Sequence, residues 1–192
     1  MTVRMRISST TIQIGSHKLK KPIDIVKSKM NTAPVNVAAI FRSLGVEVQE
    51  NAELPDNISG QLAKVGDRFI AASSKDEHPF RQRFTLAHEL GHYVLHRSLI
   101  GEGLDDNKMY RSTSDGKFYN TNIKARHEQQ ANSFAAKVLM PKHLLRKMLD
   151  DAKSTGNPVD IRDICSKFEV SRSAAKWRLV NLGWESEVLG IE

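Results

Sequence analysis

Between residues 35 and 49 the chain passes from one hydrophobic rhythm to another. Val35, Val37, Ile40, Phe41 and Leu44 recur at helical spacing and predict a helix with one apolar stripe. Gly45 follows, and glycine can take the left-handed conformation that closes a helix. Val46 and Val48 then alternate with Glu47 and Gln49, the two-residue period of a half-buried strand. Upstream, Ile23, Ile25 and Val26 among lysines predict a short helix within residues 22–30, and NAELPDN downstream reads as a loop. GQLAKV and RFIAAS flank Gly66-Asp67, a turn pair suited to a hairpin over residues 58–73. The polar SKDEHPF connects it to a helix expected to begin near Thr85, whose hydroxyl can cap free amides. Residues 100–126 lose periodicity and read as a loop or irregular excursion, a feature that in compact domains often carries function. Helical spacing resumes at His127, where Ala131, Phe134, Ala135, Val138 and Leu139 form one face and Met140-Pro141 ends it. A short helix in KHLLRKMLDDA, a turn at STGNP and two helices over residues 160–168 and 171–182 complete the pattern. The order helix, strand, hairpin, helix predicts an α+β fold, with a small antiparallel or mixed sheet packed on helices.

The chain has 192 residues, enough for one good core with a small appended unit. The expected division is a basic N-terminal segment (1–21), a core (22–155) and a C-terminal helical subdomain packed on it (156–192). No stretch has the apolar length to span a bilayer, and no signal peptide is evident. Cys165 is the only cysteine, so no internal disulfide can form; a cytoplasmic location is expected. Net charge is +7, much of it from Arg4, Arg6, Lys18, Lys20 and Lys21, which meet no acid in their segment. That segment reads as a solubilising terminus, with contact to nucleic acid or an acidic partner as the alternative. Beyond it the two signs mix, unlike a dedicated nucleic-acid surface.

The candidate chemistry lies in FTLAHELGHYVLH, where His88, Glu89 and His92 form an H-E-x-x-H pattern. Residues four apart share a helix face, so both imidazoles can aim at one metal ion while Glu89 reaches a metal-bound water. Gly91 costs the helix about 1 kcal/mol relative to alanine, which makes sense if another element passes very close. A catalytic zinc generally wants three protein ligands and an open position. His96 is excluded as the third, because ligands on three successive turns would spread over about 12 Å. The better source is HEQQANSFAAKVLMP, whose small alanines permit close packing; it offers Glu128 and, as a rival, His127. Such a site points to hydrolysis, with Glu89 as the base. Tyr110, Tyr119, His127 and Arg83 are candidates to stabilise an oxyanion, Asn132 to hold a ligand by a hydrogen bond, and His96 to line the site.

RFTLAHELGHYVLH followed by EQQANSFAAKVLMP resembles the ImmA/IrrE metallopeptidases, and the likeness extends over roughly residues 34–183. The resemblance implies a zincin-like fold, with His88, His92 and Glu128 as ligands and Glu89 as catalytic base. It implies a zinc endopeptidase, although manganese or iron also suits such ligands. Members are intracellular bacterial, phage or mobile-element proteins; several cleave or inactivate helix-turn-helix repressors, and some are paired with a regulator in toxin–antitoxin-like modules. The polar stretch between the histidines and Glu128 is somewhat long, either a substrate-selecting lid or an exposed insertion. The closing DIRDICSKFEVSRSAAKWRLVNLG has helix-turn-helix spacing, and Arg172, Lys176 and Arg178 suit phosphate or partner contacts. Two alternatives stand beside the peptidase. One is a non-proteolytic toxin or antirepressor with a structural metal; the other is a DNA-binding regulator.

Overall fold

The computed structural model describes residues 21–100, 110–113 and 123–191. Two short helices, α1 (Pro22–Ser28) and α2 (Val37–Ser43), open the described chain, and Asn36 caps α2 by accepting from the Ala39 amide. Three strands follow: β1 (Glu47–Ala52), β2 (Ile58–Val65) and β3 (Arg68–Ser74). The turn between β2 and β3 is Gly66-Asp67, and Gly66 has φ +59°, a value that favours glycine. A fourth strand, β4 (Tyr110–Thr113), lies inside the segment expected to be irregular. It pairs antiparallel with β2, while β1 runs parallel to β3, so the sheet is mixed with order β1-β3-β2-β4. Four residues, three of them with hydroxyls, give too short a pattern to announce a strand; pairing to β2 makes it one.

Helix α3 (Pro79–Leu95) lies across β2 and β3. It begins two turns before the expected start. Pro79 occupies the first helical position, where its missing N–H costs nothing, and His78 Nδ1 accepts from the Phe80 amide. Thr85 is therefore not a cap but a buried residue against the sheet. Gly60 on β2 makes room for it, since a Cβ there would overlap the Thr85 methyl group. Helix α4 (Ala125–Leu139) packs along α3, and α5 (Lys142–Thr155) follows after Pro141. The chain ends in β5 (Val159–Asp160), α6 (Ile161–Phe168), α7 (Arg172–Val180) and β6 (Val188–Leu189), with β5 and β6 pairing in parallel. Ser171 caps α7 through the Ala174 amide.

One continuous core links the helices to β2 and β3. Phe41 of α2, Leu62 of β2, Leu90 of α3, Leu139 of α4, Leu145 of α5, Ile164 and Phe168 of α6 and Leu179 of α7 belong to it. Arg178 is drawn into this packing: it is 6% exposed and donates Nε–H to the Met140 carbonyl. The phosphate-contact reading of Arg178 is thereby corrected, because a buried guanidinium committed to a helix-end carbonyl cannot reach a ligand outside. Among the described residues no helix is long and apolar enough to cross a membrane. The basic N-terminal arginines and lysines up to Lys20, and Tyr119, lie outside the described residues.

Candidate metal centre

His88 and His92 occupy successive turns of α3, and Glu128 stands on the first turn of α4. The contact between the two helices sets their meeting. A Cβ on Gly91 would lie 3.0 Å from Ala131 Cα and 3.2 Å from its carbonyl oxygen, so any side chain there would push the two helices apart. With backbones that close, Glu128, one turn before Ala131, is carried over the histidine face. His88 Nε2 and His92 Nε2 are 3.1 Å apart, and the Glu128 carboxylate oxygens lie 3.2 Å from the first and 3.3 Å from the second. All three side chains are buried.

The arrangement passes a simple test of fit to a metal. Ligand atoms about 2.05 Å from a tetrahedral centre stand about 3.3 Å apart, close to the three edges measured. Protonation also suits a metal. His88 Nδ1 lies 2.8 Å from Asn132 Oδ1, which accepts its proton and turns Nε2 toward Glu128 and His92. Burial drives the His92 pKa down to about 4, against the smaller pull of Glu128, so the ring is neutral near pH 7. Burial alone would raise the Glu128 pKa; hydrogen bonds from His88 and His92 outweigh it and hold the carboxyl at about 2. Two imidazoles and one carboxylate thus converge, a set capable of coordinating a divalent metal ion. Glu89 is fully buried on the same stretch of α3.

The other candidates fall in different places. His96 is buried, its ring centroid 5.6 Å from that of His92 and 4.7 Å from that of His127, and it stands outside the ligand set. His127 turns back to accept from the Lys124 amide, a helix-start contact that takes it away from ligation. Arg83 lies 3.3 Å from Glu169 and donates to the Val35 carbonyl, bracing α3 against the start of α2 and the α6–α7 corner. The backbone of Tyr110 opens β4. Arg172 donates to the Gly190 carbonyl, while Lys176 is exposed. A cleft beside Asn132, lined by Phe84, Ala136 and Trp177, was not anticipated. Its residues come from three helices, and only their assembly creates it.

A mixed sheet backing a helix with two histidines, completed by a glutamate from the next long helix, is the arrangement of a zincin-like metal-binding site. The sequence model of peptidase family M78, the IrrE N-terminal-like domain, matches residues 41–180, and the chain belongs to that family. The radiation response metalloprotease IrrE of Deinococcus radiodurans is 33% identical over 101 residues, 53% of this chain. The match spans 27% of that relative's own length. A Mycobacterium tuberculosis transcriptional regulator shares the fold with a TM-score of 0.51 at 19% identity, over 82% of this chain and 46% of that one.

Proposed function

We propose that the protein is a zinc-dependent endopeptidase that cleaves or inactivates a helix-turn-helix repressor or a similar regulatory protein. The buried convergence of His88, His92 and Glu128 carries the peptidase part. Bound by them, zinc supplies Lewis acidity toward water and a peptide carbonyl. Glu89 takes the proton of the attacking water and returns it to the departing amine. Asn132 fixes the His88 ring with its Nε2 turned toward the other two ligands. A regulatory target is supported by family membership and by the relative's description as a radiation response metalloprotease. A nucleic-acid role for α7 has less support, because Arg178 is buried and Arg172 is engaged by Gly190.

The test is incubation of the zinc-loaded protein, and of its Glu89→Gln form, with helix-turn-helix regulators from the same genome, beginning with any encoded next door. Cleavage by the parent alone is expected. Cleavage by both proteins, or by neither, counts against the proposal. Salt-dependent DNA binding that disappears on changing Arg172 and Lys176 would favour the DNA-binding alternative instead.

A further inference from the structure

We infer that the cleft between α3, α4 and α7 selects the substrate: it takes one large apolar side chain of an extended polypeptide, and Arg81 holds an acidic residue beside it. Its functional meaning rests on the peptidase reading, but its occupancy can be measured without any cleavage.

The cleft has a volume of about 440 Å³. Phe84 of α3, Asn132 and Ala136 of α4, and Ala174 and Trp177 of α7 line it, with Arg81 of α3 and the polar Gln129, Ser171 and Ser173 making up the rest of the wall. It exists because small residues, Ala136 and Ala174, stand where larger ones would fill the space between helices. The volume falls within the ordinary range for ligand sites and is ample for a leucine or phenylalanine side chain with its backbone. Its apolar part comes from Phe84, Trp177 and the two alanines. Trp177 remains 44% exposed, so a large apolar ring faces water at the cleft. An apolar side chain seated against it would take that surface out of water.

Two observations identify the occupant as the substrate chain. The first is continuity with the metal centre. Asn132 lines the cleft and also accepts the His88 Nδ1 proton, so a peptide seated there lies one side chain from a metal ligand. The second is charge. Arg83 is paired with Glu169, whereas Arg81 makes no ion pair among the described residues. A lone guanidinium at an apolar cleft suits a peptide with one carboxylate beside its apolar residue. It does not suit a nucleic-acid backbone, which needs several cations. The C-terminal helix pair gains a role from this: α7 supplies the far wall of the cleft.

The full-length Glu89→Gln protein, labelled with 15N at its two tryptophans, reports occupancy without cutting the ligand. The Trp177→Phe change assigns the two indole signals. The probes are the capped peptides Ala-Leu-Glu-Ala, Ala-Ser-Glu-Ala and Ala-Leu-Lys-Ala. The Leu-Glu peptide is expected to shift the Trp177 signal saturably and leave Trp184 unmoved. The Ser-Glu peptide should bind on the order of ten-fold more weakly. The Leu-Lys peptide should also bind more weakly, and the Arg81→Gln change should remove that difference. Ser173→Phe, on an exposed position, and Ala174→Leu each fill the cleft and should abolish the shift. Equal responses to leucine and serine, no response at all, or unaltered binding in the folded cleft-filled proteins would overturn the inference. A Trp177 signal that moves with protein concentration alone would assign the cleft to a second copy and also overturn it. Failure to cleave any protein would sink the peptidase reading and leave these readouts intact.

Discussion

Replacing Gly91 with alanine tests how tightly the two metal-bearing helices are fitted. The added methyl would sit 3.0 Å from Ala131 Cα and 3.2 Å from its oxygen, where carbon atoms ordinarily rest about 3.5–4.0 Å apart. Both near atoms belong to the α4 backbone, so no side chain can swing away and the helices must part by about 0.5 Å. Overpacking of this kind costs about 1–3 kcal/mol. Better helix propensity returns about 1 kcal/mol. The net expectation is a destabilisation of about 0–2 kcal/mol, with each kcal/mol lowering Tm by about 2–4 °C in a chain of this size. The effect on metal should be larger. Glu128 is one turn from Ala131 on the same rigid helix and moves with it, whereas metal–ligand distances tolerate only about 0.2 Å. A metal affinity about 10–100-fold weaker is expected, comparable to losing a residue that supports a ligand. Thermal unfolding with and without zinc gives the first quantity, and competition against a chromophoric chelator gives the second. A variant stabilised by about 1 kcal/mol with unchanged metal affinity would show slack between the helices and refute the reasoning.

Asn132→Ala should weaken metal binding by about 10–100-fold with little change in the unfolding of metal-free protein, because it frees the His88 ring and exposes no core; an unchanged Kd would deny Asn132 a positioning role. The metal-free protein should lose stability in mild acid. Burial holds the His92 pKa at about 4, below its ordinary 6.5, so between those values the unfolded chain binds a proton that the folded chain refuses. Stability from this residue is complete above pH 6.5 and lost as pH falls toward 4, about 2 kcal/mol between pH 7 and 5. Urea titrations at the two pH values check it. His92→Phe should flatten the difference; the same fall in that variant would place the titration elsewhere.

Much of the site was legible because helical periodicity ties spacing to geometry. His88 and His92 share a face at any helix of that sequence, and Gly91 already asked for a close neighbour, which proved to be Ala131. The choice between His127 and Glu128 was not readable from periodicity. It is decided by His127 turning back to the Lys124 amide, a contact local to the helix start. The start of α3 was misplaced because Thr85 is a good cap by type, while the true opening uses a histidine and a proline. β4 and the β5–β6 pair were invisible because strands of four and two residues carry almost no pattern of their own; their partners define them. Arg178 looked like surface by residue type, and only the packing of α7 onto the end of α4 shows its burial.

The contact at Gly91 and Ala131 also says where the chain can change length. Glu128 reaches the histidines because it lies a fixed three residues before the point where the helices touch, so α4 works as a ruler. One residue inserted between Glu128 and Ala131 would turn the carboxylate by about 100° and remove it from the site. A deletion between His88 and Gly91 would do the same to the first ligand. The spacing between α3 and α4 along the chain is under no such rule outside β4, because the two helices meet directly at Gly91 and Ala131. Insertions there should leave the metal site whole, and relatives with the same ligands are expected to differ in length across that span while keeping these two short spacings unaltered.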